Sequence, residues 1–126
     1  NRKQRSAFLV ELQHMRRLKS PHIVNVFGII TSIEKRLVLV MEFMPGGDLY
    51  EFIITATGSV LSGLCLPIPG QVARRIIREV AEGMAFLHQK KTWHGDLKSL
   101  NVLLDAKDRA KVGNTGKNAK RHLNPS

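Results

Sequence analysis

Near the start of the chain Phe8, Leu12 and Met15, with Leu9 and Leu18 beside them, recur at intervals of three and four. That spacing gathers apolar side chains on one face of a helix, so an amphipathic helix is predicted over 6–18. Ser20-Pro21 ends it, because the residue before a proline is pushed out of helical geometry. Two runs rich in Ile, Val, Leu and Phe follow, over 22–30 and 36–43, and read as strands paired by a hairpin around 32–35. Pro45-Gly46-Gly47 breaks the second strand, and Asp48 is placed to cap a short helix through about Ile54. The stretch 55–69 contains Gly58, Gly63, Pro67 and Pro69 without periodicity and reads as a loop or insertion. From 71 to 88, Val72, Ile76, Val80, Met84 and Leu87 keep one helix face apolar, while Arg74, Arg75, Arg78, Glu79 and Glu82 are expected on the opposite, solvated face. Two short apolar strands, 102–104 and 110–112, joined across 105–109, are expected as a hairpin beneath the polar segment that precedes them.

Composition narrows the picture only slightly. The 126 residues are 43% hydrophobic and 24% charged, ordinary for a globular domain with one core. A net charge of +10, from 20 Lys and Arg against 10 Asp and Glu, would suit nucleic acid, an anionic membrane or an acidic polypeptide. The basic residues, however, are scattered over 2–19, 74–78, 90–91 and the tail from 107, often on helices with an apolar stripe, and aromatics make up 6%. Solvated helix faces account for that distribution, and no nucleic-acid partner is expected. Cys65 is the sole cysteine, which excludes an intrachain disulfide or a multi-cysteine zinc site and fits a reducing, intracellular, cytoplasmic setting. No stretch reaches the roughly 18 apolar residues of a membrane span.

The chemistry is concentrated in His94-Gly95-Asp96-Leu97-Lys98-Ser99-Leu100-Asn101. An Asp and an Asn five positions apart, with a Lys between them, suit phosphoryl transfer from a metal-bound nucleotide, and the segment resembles the H-R-D-L-x-x-x-N catalytic loop of protein kinases. Every position except Gly95 fits, and Val102-Leu103-Leu104 continues the pattern. Phe8-Leu9-Val10-Glu11, Met15, Leu18 and Ser20-Pro21-His22-Ile23-Val24 are similar to the family's F-x-x-E, M, L, H-P-N-I-V run, with Ser20 and His22 where His and Asn are usual. Met41-Glu42-Phe43-Met44-Pro45-Gly46-Gly47-Asp48-Leu49 resembles a hinge of the tyrosine-kinase-like, Ser/Thr-specific group.

The resemblance implies an α+β, partial protein-kinase-like fold: a partial N-lobe with C-helix, strands and hinge over 1–44, a partial C-lobe with catalytic loop and hairpin over 45–116, and a divergent basic tail over 117–126. A complete fold of this family needs about twice this length. With Asn1 rather than Met at the start, a fragment is expected. ATP and Mg2+ are the implied cofactors, and a protein substrate or partner is implied with them. Residue by residue, Asp96 would be the base, Lys98 the cation near the transferred phosphate, Asn101 a metal ligand, and Glu11 the partner of a nucleotide-binding Lys for which Lys3 is no substitute. Met41 would back the adenine, Glu42 and Met44 would meet its edge through their backbone, Leu103 would floor it, and Asp48 would accept from the ribose. Met41 taken alone at the end of an apolar strand reads first as plain core, Asp48 reads equally as a plain helix cap, and Glu11 without its neighbours reads as a surface residue.

The pattern departs at Asn114-Thr115-Gly116, where the family has Asp-Phe-Gly. Asn114 would offer Mg2+ a neutral carbonyl oxygen in place of a carboxylate, weakening the metal and slowing transfer. Thr115 removes an aromatic, leaving a void worth about 3–5 kcal/mol where nothing refills it. Gly95 removes the Arg that would bind a phosphorylated activation loop. Two functions follow as expectations: a piece of an ATP-dependent protein Ser/Thr kinase, or a catalytically impaired pseudokinase or remnant that binds nucleotide or protein. This chain alone is expected to be inactive.

Overall fold

The computed structural model describes residues 2–31, 37–56 and 68–113. Helix α1 (Arg2–Arg17) buries Leu12 and Met15 against Val26, with Ile29 and Leu39 packed beside them. Leu12 and Met15 are among the residues whose spacing predicts the helix, but it begins four residues before the predicted start at Ser6. The amide of Leu18 donates to the Met15 carbonyl, and Ser20 then turns the chain, its hydroxyl accepting from the His22 amide at 3.2 Å.

Strands β1 (Val26–Thr31) and β2 (Leu37–Met41) pair antiparallel, from Val26 opposite Met41 to Thr31 opposite Leu37, with a bulge between Val26 and Gly28. The expected strand over 22–30 is thus shorter than its apolar run. The segment before β1 belongs elsewhere: Val24 donates to the Val112 carbonyl at 3.0 Å, and the Val112 amide donates to the His22 carbonyl at 2.8 Å. Long-range pairing wins because an apolar run specifies burial and not which strand lies alongside it. On β1 and β2, Phe27, Ile30, Val38 and Val40 alternate onto an exposed face.

The turn Met44 to Gly47 closes with the Gly47 amide on the Met44 carbonyl at 3.2 Å. Gly47 has φ +71, a left-handed value that glycine takes without steric cost. A Cβ on Gly46 would lie 2.7 Å from the Asp105 carbonyl oxygen, so the turn fits against the neighbouring sheet only as glycine. A strand absent from the sequence reading, β3 (Gly47–Asp48), then pairs with β4 (Val102–Leu104), and β4 pairs with β5 (Ala110–Val112), all antiparallel. Two residues carry too little alternation to register as a strand. Helix α2 (Leu49–Ala56) starts as expected, with Asp48 Oδ1 accepting from the Glu51 amide at 2.9 Å. The expected loop after it lies largely outside the described residues.

Helix α3 (Gly70–Gln89) lies across the β4–β5 hairpin. Ile76 joins Val102, Leu104 and Ala110 in one core cluster, and Leu87 joins Leu18, Ile23 and Val112 in another, with Val80 packed against both. Glu79, expected on the solvated face, is instead buried and accepts from the Ala110 amide at 2.7 Å. It supplies an acceptor that the end of the hairpin lacks, which offsets the cost of burying a carboxylate. Gly83 lets the chain before β1 approach, since a Cβ there would meet the His22 carbonyl oxygen at 2.7 Å. The helix ends with Thr92 donating to the Leu87 carbonyl and Lys91 to the His88 carbonyl, Lys91 taking φ +52. Among the described residues no helix is long and apolar enough to cross a membrane.

Candidate active site

The loop after α3 is anchored by the two strands that follow it. His94 Nε2 lies 2.8 Å from the Gly113 carbonyl oxygen, and the Asp96 amide donates to His94 Nδ1 at 3.2 Å. Since Nδ1 accepts, Nε2 carries the hydrogen and donates to Gly113. Gly95, between them, has φ +74. A non-glycine residue pays about 1–2 kcal/mol in that conformation, so this departure from the family pattern removes strain as well as an Arg.

A 3-10 turn, Ser99–Asn101, closes the loop with the Asn101 amide on the Lys98 carbonyl at 2.9 Å. Only 6% of Asn101 is exposed. Its Nδ2 donates to the Asp96 carbonyl oxygen at 2.6 Å and reaches Asp96 Oδ2 at 3.2 Å, while Lys98 Nζ stands 3.4 Å from the same Oδ2. The Asn101 carbonyl in turn accepts from the Gly113 amide at 2.7 Å. Gly113 therefore holds both ends of the loop, through its carbonyl at His94 and its amide at Asn101. Asp96, Lys98 and Asn101 form one cluster, with a cation and an amide beside one carboxylate. That arrangement can accept a proton at Asp96 and balance added negative charge at Lys98.

Of the residues expected around a nucleoside, Met41, Asp48 and Leu103 lie on strands, and Glu42 and Met44 lie in the segment after β2. Asp48 and Leu103 are direct partners across β3 and β4, and Leu103 faces Lys111 across β4 and β5. Met41 is half-buried at the end of β2, Met44 is buried, and the Glu42 amide donates to the Asn25 carbonyl at 2.8 Å. Asp48 carries its capping bond, so the capping reading holds whatever else it does. Two expected site groups, the Glu11 side chain and Asn114, lie outside the described residues, as does Thr115.

One set of contacts was not legible in the chain order. Glu42 Oε1 accepts from Lys111 Nζ at 2.6 Å and its Oε2 from the Asn25 amide at 3.1 Å, tying the segment after β2 to β5 and to the start of β1. Partial burial pushes the Glu42 carboxyl up, but the Lys111 hydrogen bond, the Asn25 amide and the Lys111 charge outweigh it and hold it below the usual value. Asp105 in the β4–β5 turn is likewise held low, its burial outweighed by the Arg109 and Lys107 amides. The only advance sign of the Lys111 contact is a lysine inside an apolar strand, which says nothing about its partner.

No group of three or more His, Cys, Asp or Glu side chains among the described residues is arranged for a metal.

A helix packed on a small sheet, a short turn, a long helix and an Asp-Lys-Asn loop resting on a hairpin define a partial protein-kinase domain. The sequence profile of the family described as protein tyrosine and serine/threonine kinase matches residues 1–122, and the chain belongs to that family. It is 39% identical over 106 residues to the serine/threonine-protein kinase CLA4 of Eremothecium gossypii, covering 84% of this chain and 13% of that protein. It is 32% identical over 115 residues to human mitogen-activated protein kinase kinase kinase 3, covering 90% of this chain and 17% of that protein. It is also 32% identical over 109 residues to CBL-interacting serine/threonine-protein kinase 1 of Arabidopsis thaliana, covering 86% and 22%. The chain thus spans about a fifth or less of the length of these relatives.

Proposed function

We propose that this chain carries the nucleotide and catalytic-loop portion of an ATP-dependent protein Ser/Thr kinase of the tyrosine-kinase-like group. The observation that carries the reading is the hold of Asn101 on Asp96, with Lys98 at the same carboxylate. Asp96 would take the proton of the attacking hydroxyl, Lys98 would offset charge on the transferred phosphoryl group, and the Asn101 side chain, whose amide nitrogen is committed to Asp96, would ligate Mg2+ through its carbonyl oxygen. Bound Mg2+-ATP supplies the phosphoryl group. Met41, Leu103 and the backbone of Glu42 and Met44 receive adenine, Asp48 the ribose, and Glu11 a lysine that steadies the phosphates. The units 1–44 and 45–116 act as the two walls of the nucleotide cleft, 117–126 being a divergent tail, in an intracellular setting where ATP is available and a protein hydroxyl is the acceptor.

A second reading is favoured by Asn114, Thr115 and Gly95 together: a pseudokinase that retains a nucleotide or a protein partner with little turnover. A neutral amide at 114 in place of a carboxylate removes one full negative charge from the metal. Calorimetry of Mg2+-ATP against the full-length protein that contains this chain and its Asn114→Asp variant separates the two. Measurable binding that tightens about tenfold or more in the variant, with phosphoryl transfer appearing only there, supports the pseudokinase reading. Transfer by the natural full-length protein that disappears in Asp96→Asn supports the enzyme. If neither protein binds Mg2+-ATP, the assignment of the site is wrong.

A further inference from the structure

We propose that the cavity between the α1–β1 connection and β5 is a binding site for a small amphipathic anion, an aromatic or branched apolar body bearing one carboxylate. The cavity measures about 470 Å³, within the size range of small-molecule sites. None of Asp96, Lys98, Asn101, Asp48 or Leu103 lines it, and the one shared residue, Glu42, lends it a side chain while its backbone is the part assigned to adenine. Its apolar wall is Leu18, Pro21, Ile23 and Phe27. Leu18 and Ile23 belong to the core beneath α3 and are rigid by packing, whereas Phe27 is 54% exposed and forms an open lip. An apolar group entering there covers a ring that otherwise faces water.

The polar wall decides the sign of the ligand. Lys19, Asn25, Glu42 and Lys111 line it as one hydrogen-bonded row. Lys19 Nζ donates to Asn25 Oδ1, the Asn25 amide donates to Glu42 Oε2, and Lys111 Nζ donates to Glu42 Oε1. Two ammonium groups thus face one carboxylate, and that carboxylate is already engaged twice. Each ammonium has three N–H donors and uses one within the described residues, which leaves donors and, among the lining groups, one unit of positive charge at the cavity, the nearby Asp105 lying outside the lining with Arg109 as its own counter-charge. A carboxylate on the ligand meets both needs, whereas a cationic ligand would compete with Lys111 for Glu42 and be repelled by Lys19.

The test titrates 2-naphthylacetate and its neutral analogue 2-naphthylacetamide into the isotopically labelled 126-residue chain, without nucleotide or Mg2+, following backbone amide resonances. Its outcome is therefore separate from the fate of the kinase reading. The carboxylate should shift the resonances of Lys19, Ile23, Asn25, Phe27 and Lys111 and bind more tightly than the amide. Lys19→Ala, at an exposed side chain, should weaken the carboxylate about 3- to 5-fold and leave the amide unchanged. Phe27→Ala should weaken both. Equal affinity for acid and amide, shifts confined to residues outside the cavity, or no loss in either variant would overturn the proposal.

Discussion

Asn101 grips Asp96 twice, its Nδ2 donating to the backbone carbonyl oxygen at 2.6 Å and reaching Oδ2 at 3.2 Å across the turn of the loop. The asparagine therefore positions the aspartate and orients its own carbonyl oxygen in the same act. Asn101→Ala should leave the Asp96 carbonyl without this donor and destabilise the chain by about 1–3 kcal/mol. Asn101→Ser should recover part of that stability without restoring Mg2+-dependent nucleotide affinity. Thermal melts of both variants, paired with Mg2+-ATP titrations, check the two roles separately, and an unchanged melt in Asn101→Ala would remove the positioning role.

Glu79 is 8% exposed on the face of α3 that meets the β4–β5 hairpin, and it receives the Ala110 amide at 2.7 Å. Glu79→Ala should cost about 1–3 kcal/mol because a buried amide loses its acceptor. Glu79→Gln keeps an acceptor oxygen and should cost less. Equal melting temperatures for the two variants would show that the hydrogen bond carries no stability.

At Gly83 the helix and the chain before β1 are in backbone contact, and a Cβ would stand 2.7 Å from the His22 carbonyl oxygen and 3.0 Å from Val112 Cγ2. Alanine normally favours a helix interior over glycine by about 1 kcal/mol. Here Gly83→Ala should instead destabilise, by about 1–3 kcal/mol, because the obstructing atom is backbone. A denaturant midpoint that rises in this variant would refute the close approach.

Acid should loosen the link between β5 and the segment after β2. The folded Glu42 carboxyl lies below the 4.5 of an unperturbed glutamate, its burial outweighed by the Lys111 hydrogen bond and charge and by the Asn25 amide. A depressed folded value means that the stabilisation is complete above pH about 4.5 and is lost as pH falls through the folded value. Denaturant midpoints measured downward from about pH 6 should decline below that point. Lys111→Met should flatten the decline while leaving most of the part due to Asp105, which sets in below 3.8 and rests mainly on the Arg109 and Lys107 amides, with a smaller share from the Lys111 charge. A curve identical in both proteins would exclude Glu42 as its source.

The chain order determined α1 and α3 through their three-and-four spacing, the start of α2 through Asp48, and the loop from His94 to Asn101 through residue types at fixed intervals. Each of these is a local property, since helical faces, caps and tight turns are settled by residues a few positions apart. Only the tertiary structure decided which strand the segment before β1 joins, that Glu79 lies inside, that Gly47 and Asp48 complete a sheet, and that Lys111 meets Glu42. Those contacts join groups 31 to 89 positions apart. At such separations the partner is chosen by which donors, acceptors and apolar faces remain unmatched once the local elements have formed. The sequence therefore names the groups at the site, and packing brings them together: Gly113, unremarkable in the chain, holds both His94 and Asn101 in register.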